Sequence, residues 1–181
     1  HVVKDRPLTF LAQFNCAELA QFDKEHLLPD HGLLSFFYET DTQCWGYDPN
    51  DKGCARVYWF EDMSALSAAD FPADMGEDFK FPMVKIKLDA KTSYPSWQDF
   101  SEMFPDEKDD DAFNDALDEL TGEDPENPDD RSQLLGWPDI IQNNMTLQCE
   151  LISRGYYLGG SWENIPMEER SALRTPSVRE W

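Results

Sequence analysis

Apolar side chains recur at every second position in some stretches of this chain and at every third or fourth in others. The first rhythm marks strands and the second marks helices. Leu8, Phe10, Ala12 and Phe14 alternate with Thr9, Leu11 and Gln13, which predicts a strand with one strongly apolar face. Asn15 followed by Glu18 has the spacing of a capping box, and Leu19 and Phe22 then share a helical face. Pro29, Asp30, His31 and Gly32 predict a turn, because Pro presets one dihedral and Gly accepts a positive one. A second strand follows over residues 33–38, and residues 55–60 predict a third. In that third strand Val57 and Trp59 point one way and Tyr58 and Phe60 the other, so it is expected to be central or to lie under a cover. Residues 81–88 alternate most cleanly: Val84, Ile86 and Leu88 on one side, Lys85 and Lys87 on the other.

Helical spacing dominates next. Ser96 with Asp99 opens a helix in which Trp97, Phe100 and Phe104 share a face, and Pro105 ends it. Asp109, Asp110 and Asp111 suit a helix start. That helix is expected to bury Phe113, Leu117 and Leu120 and to stop at Gly122. Leu147, Cys149 and Leu151 alternate with Gln148 and Glu150 and predict a further strand. A short helix is expected at 167–173. Strands interrupted by short helices, without regular alternation, give an α+β class with a mixed, largely antiparallel sheet and short helices packed on it.

Composition fits a folded core: 40% of residues are hydrophobic and 13% aromatic, too many for a disordered chain. The 181 residues suit one domain. No apolar run is long enough to span a bilayer. Charge changes the picture more. Asp and Glu number 37 against 15 Lys and Arg, a formal net charge of −22. Phosphates and anionic membranes would be repelled, so neither nucleic acid nor membrane is an expected partner. A basic protein would be attracted; the plainer reading is that acidity maintains solubility. Cys16, Cys44, Cys54 and Cys149 include no Cys-x-x-Cys pair, and reduced thiols in a cytoplasmic protein are expected.

Three segments carry a resemblance. Residues 7–19, from Pro7 through Thr9, Phe10, Gln13, Phe14 and Asn15 to Leu19, form the first. The second runs from Leu28, Pro29, Gly32 and Leu33 to Tyr38, continues through Trp45, Gly46, Tyr47, Asp48 and Pro49, and reaches residues 54–60. The third is Gln133, Leu134, Leu135, Gly136, Trp137, Pro138, Asp139, Ile140, Ile141 and Gln142. In this order they resemble the YwqG-like family of bacterial domains of unknown function. The resemblance implies a single domain over residues 1–181 that lacks the family's Gly- and Pro-rich lead-in and its closing C-terminal strands. It supplies no chemistry. Some genes of the family lie among toxin–immunity loci, which implies an acidic immunity-type partner for a basic toxin.

Candidate sites divide between functional and structural readings. Trp137, Asp139 and Gln142 could line a small-ligand cleft, aromatic wall beside placed polar groups. Alternatively Gly136 and Pro138 fix a bend and Trp137 packs on the sheet. Trp45, Tyr47, Tyr58 and Trp59 could bind a ligand or a partner, or belong to the core. The acidic runs at 106–111 and 123–130 fail the calcium-loop pattern: counted from Asp106, the positions needing Gly and Glu hold Asp111 and Leu117. His26 and His31 beside Glu25 and Asp30 lack a third ligand at known spacing. No Gly-x-Ser-x-Gly, Gly-x-Gly-x-x-Gly or P-loop is present. No metal, cofactor or catalytic set is therefore expected, and a non-enzymatic interaction module leads over a small-ligand-binding domain or enzyme.

Overall fold

A computed structural model describes residues 6–122, 132–138, 145–160 and 165–172. The chain divides into two compact units, His1–Ala90 and Lys91–Trp181.

In the first unit, β1 (Thr9–Asn15), β2 (Leu33–Tyr38) and β3 (Ala55–Phe60) form an antiparallel sheet in the order β1-β2-β3. The β2–β3 ladder runs without interruption from Leu33 opposite Phe60 to Tyr38 opposite Ala55. The β1–β2 ladder shifts register between Phe10 and Ala12. One extra residue there turns the rest of the strand's pattern over, as a bulge does. Between β1 and β2 lies α1 (Cys16–Leu19), started by the Asn15 side chain, whose oxygen accepts the Ala17 N–H at 3.1 Å. Cys16 and Leu19 are buried, and Cys16 N–H donates to the Gly32 carbonyl at 3.0 Å, fastening α1 to the turn before β2. Gly32 has φ +83°, the positive dihedral expected of that turn.

In the second unit, α2 (Trp97–Met103) is capped by Ser96, whose hydroxyl accepts Asp99 N–H. Asp109 caps α3 (Asp110–Thr121) through Ala112 N–H, and Gly122 closes it in the left-handed conformation. The two helices meet through aromatic rings: Phe113 stands 4.7 Å from Phe100 and 5.4 Å from Trp97, centroid to centroid. α4 (Met145–Ser153) and α5 (Met167–Ala172) follow. Leu147, Leu151, Leu158 and Ile165 form a buried cluster, against which Ile152 and Tyr156 pack.

The class is α+β, with an antiparallel sheet and short helices. Four expectations change. Residues 147–151 are helical. Leu147 and Leu151, four apart, are buried and Cys149 is exposed, so a helical stripe and a strand alternation had coincided on the same two leucines. Among the described residues, 81–88 join no ladder, and Val84 and Ile86 are exposed. Alternation makes a segment able to pair, but the partner strand decides whether it does. β3 is an edge strand with all six residues exposed, neither central nor covered among the described residues. Leu120 is exposed rather than buried, and Phe113 and Leu117 are half-buried. No described helix is long and apolar enough to cross a membrane.

Candidate functional site

Antiparallel pairing places side chains from neighbouring strands directly opposite one another. On one face of the sheet this builds a continuous aromatic ladder. Phe10 meets Phe37 edge-on at 5.6 Å, Phe37 meets Tyr58 at 5.7 Å, and Tyr58 lies 6.1 Å from Phe60. Phe10, Tyr58 and Phe60 remain exposed. On the other face Phe14 meets Phe36 at 5.7 Å, while Val57 and Trp59 of the edge strand are open to solvent. Single exposed apolar residues are ordinary, whereas these rings form a contiguous aromatic patch across the three strands.

One end of this edge is acidic. The Trp59 indole N–H donates to the His31 carbonyl at 2.9 Å, and the two rings stand edge-on at 5.5 Å. His31 Nδ1 lies 2.7 Å from Asp30 and Nε2 lies 3.6 Å from Glu61. The Asp30 hydrogen bond, with Glu61 assisting, raises the His31 pKa above its ordinary value against some desolvation. Asp30 is correspondingly lowered, first by its hydrogen bond to His31. Asp30, Glu61 and Asp62 are exposed beside the aromatic strand.

At the opposite end, the β2–β3 connection is heavily tied down. Glu39 is buried and its carboxylate accepts the N–H groups of Asp41 and Thr42 and the Thr42 hydroxyl. The Tyr38 hydroxyl donates to the Cys44 carbonyl at 2.7 Å, and Glu39 N–H donates to the Cys54 carbonyl at 2.7 Å. These bonds gather Cys44, Asp51 and Cys54, whose donor atoms all lie within 4.8 Å of one another. Burial, then Cys54 with Asp51 and Glu39, pushes the Cys44 thiol up to about 12. As a metal-free thiol it is protonated near neutrality, and not a nucleophile. Cys44 also lines an open depression of about 450 Å³ with Tyr38, Thr40, Gln43 and Trp45. Trp45 is 82% exposed and stands 6.5 Å from the Tyr47 ring.

In the second unit, Trp137 is half-buried. Its N–H donates to the Ser93 hydroxyl at 2.8 Å and its carbonyl accepts from Gln133. A side chain at Gly136 would run into that Ser93 hydroxyl. The Gly136–Trp137 bend is thus held from 44 residues away in sequence. Asp139 and Gln142 lie outside the described residues.

Of the residues singled out from sequence, Trp45 and Tyr47 sit together on the β2–β3 connection, and Trp59 stands on the edge strand beside His31. Sequence reading missed two groupings. The Phe10–Phe37–Tyr58–Phe60 ladder depends on strand register, which the bulge in β1 sets. The Cys44–Asp51–Cys54 cluster has nine residues between its cysteines and no recognised metal spacing; only the pairing of Tyr38 with Ala55, which closes the loop, brings them together.

A family model described as a domain of unknown function (DUF1963) matches residues 2–172. Comparison with curated proteins and with solved structures returns no match. The chain belongs to the DUF1963 family.

Proposed function

We propose, taking membership of this family of unknown function as the premise, that the chain is a non-enzymatic protein-interaction module that docks a basic protein on its β3 edge. The exposed ladder of Phe10, Tyr58 and Phe60 around Phe37 carries this reading. Interfaces are built from such aromatic centres inside a polar rim. Asp30, Glu61 and Asp62 supply an acidic rim at one end, and the net charge of −22 selects a partner of opposite sign. Electrostatic attraction of this kind raises the encounter rate and weakens with salt. We read the chain as YwqG-like and bacterial on the three segments quoted above, and as cytoplasmic because its four cysteines have no spacing that calls for a disulfide framework. An immunity-type pairing with a basic toxin is the version that resemblance supplies.

A small-ligand reading has one observation in its favour, the depression lined by Tyr38, Thr40, Gln43, Cys44 and Trp45. It places the ligand in the first unit, whereas the sequence motif placed it beside Trp137, Asp139 and Gln142.

The two readings separate in one experiment: retention of proteins from source lysate on the immobilised chain at low and at high salt. One basic protein held at low salt and released at high salt is the expected result. Retention indifferent to salt, or nothing beyond the empty resin, overturns the docking proposal.

A further inference from the structure

We propose that Cys44, Asp51 and Cys54 bind one divalent transition-metal ion of the zinc class, with two thiolates and one carboxylate as its protein ligands. The proposal stands apart from the docking surface and does not rest on it. Geometry comes first. The three donor atoms already lie within 4.8 Å of one another. Tetrahedral zinc with sulfur ligands at about 2.3 Å sets neighbouring donors roughly 3.8 Å apart. Contraction by about 1 Å, within the reach of small side-chain rotations, would close the site around an ion.

The scaffold is organised for it. Asp51 ends a short 3-10 turn, Pro49–Asp51, and its carbonyl accepts Cys54 N–H at 2.9 Å, so these two ligands move as one piece. Gly46 N–H donates to one Asp51 carboxylate oxygen at 3.1 Å and aims the group. The Tyr38 hydroxyl holds the Cys44 backbone, and the β2–β3 ladder begins directly after Cys54. Outer bonds of this type orient metal ligands and tune their affinity.

The donor set chooses the ion. Thiolates favour zinc and copper(I) over magnesium and calcium, and the carboxylate favours zinc over copper(I). Binding replaces two S–H bonds with two metal–sulfur bonds and releases both protons to solvent, with no redox change. Three protein ligands leave a fourth position for water or an external donor. Cys44 borders the open depression, so room for that donor lies beside the site.

Cobalt(II) is the probe, titrated into the freshly reduced, chelator-treated 181-residue chain. A thiolate-to-cobalt charge-transfer absorption and tetrahedral d–d bands should saturate at one equivalent and disappear when zinc is added. Cys44→Ser and Cys54→Ser should each lose most of the thiolate band. Asp51→Asn keeps the thiolates and should weaken binding by at least about tenfold; it tests the site even where a cysteine variant fails to fold. Cys149→Ser, at an exposed position, should change nothing. Absence of the thiolate band in the wild-type chain overturns the proposal. So does its persistence with both Cys44 and Cys54 replaced, or a stoichiometric Cys44–Cys54 disulfide in protein purified without reductant.

Discussion

Replacing Gly32 by alanine tests how the turn before β2 positions the edge strand. The new Cβ would lie 2.4 Å from the Phe60 carbonyl oxygen, 2.8 Å from the Trp59 indole nitrogen and 3.1 Å from the Glu61 Cα. Two of these are backbone atoms of β3 and its exit, so relief requires the strand end to move. With φ +83°, alanine also enters the left-handed region, at about 1–2 kcal/mol. Forcing in a methyl group adds about 1–3 kcal/mol. Displacing the indole from the His31 carbonyl removes a hydrogen bond worth about 1 kcal/mol. Reduced freedom of the unfolded chain offsets about 0.4–1 kcal/mol. The net loss is therefore about 2–6 kcal/mol, a large share of a typical domain's stability. Urea unfolding followed by tryptophan fluorescence measures it. Gly46→Ala is the control: its φ is +80° but nothing lies within 4 Å of the added Cβ, so only the backbone contribution of about 1–2 kcal/mol applies, reduced by the same unfolded-chain offset of about 0.4–1 kcal/mol. If Gly32→Ala is no more destabilising than Gly46→Ala, the close approach of the turn to β3 is refuted.

Three further outcomes are expected. Leu151→Ala should lose about 2–5 kcal/mol from the buried cluster, while Cys149→Ala should stay within about 0.5 kcal/mol; equal losses in urea unfolding would contradict the helical face of α4. Asp109→Ala removes the acceptor for Ala112 N–H and should lower stability by about 1 kcal/mol with some loss of far-ultraviolet helical signal; an unchanged unfolding midpoint would sink the cap. His31 should titrate above the ordinary histidine value by NMR, and Asp30→Asn should bring it down. Because its folded pKa is raised, its contribution to stability is complete below the unfolded pKa and fades as pH rises through the folded one. A His31 titration indifferent to Asp30→Asn would refute the pairing.

Much of the first unit was legible in the sequence. Alternation located β1, β2 and β3, Asn15 marked the start of α1, and Gly32 marked the turn, because each is decided by neighbours in sequence. Ser96 likewise announced α2 through a cap that forms locally, and the acidic run from Asp109 to Asp111 announced the start of α3 by its charge. What failed depended on partners far along the chain. Residues 81–88 have a strand's alternation but no ladder among the described residues, and 147–151 satisfied two periodicities until burial chose the helix. The candidate sites follow the same division. Trp45, Tyr47 and Trp59 stood out by residue type, whereas the aromatic ladder needed the β1 bulge and the thiol–carboxylate cluster needed the closed β2–β3 loop.

Docking of a basic protein on the β3 edge is tested most directly by comparing the wild-type chain with a Tyr58→Ser, Phe60→Ser variant as bait for the same lysate. Both side chains are exposed, so the substitutions remove aromatic surface and leave the acidic rim in place. The account predicts that a basic protein released by salt is held by the wild-type chain and lost from the variant, with circular dichroism unchanged between the two. Equal retention by both folded baits would contradict it and remove the aromatic edge from the function of this domain.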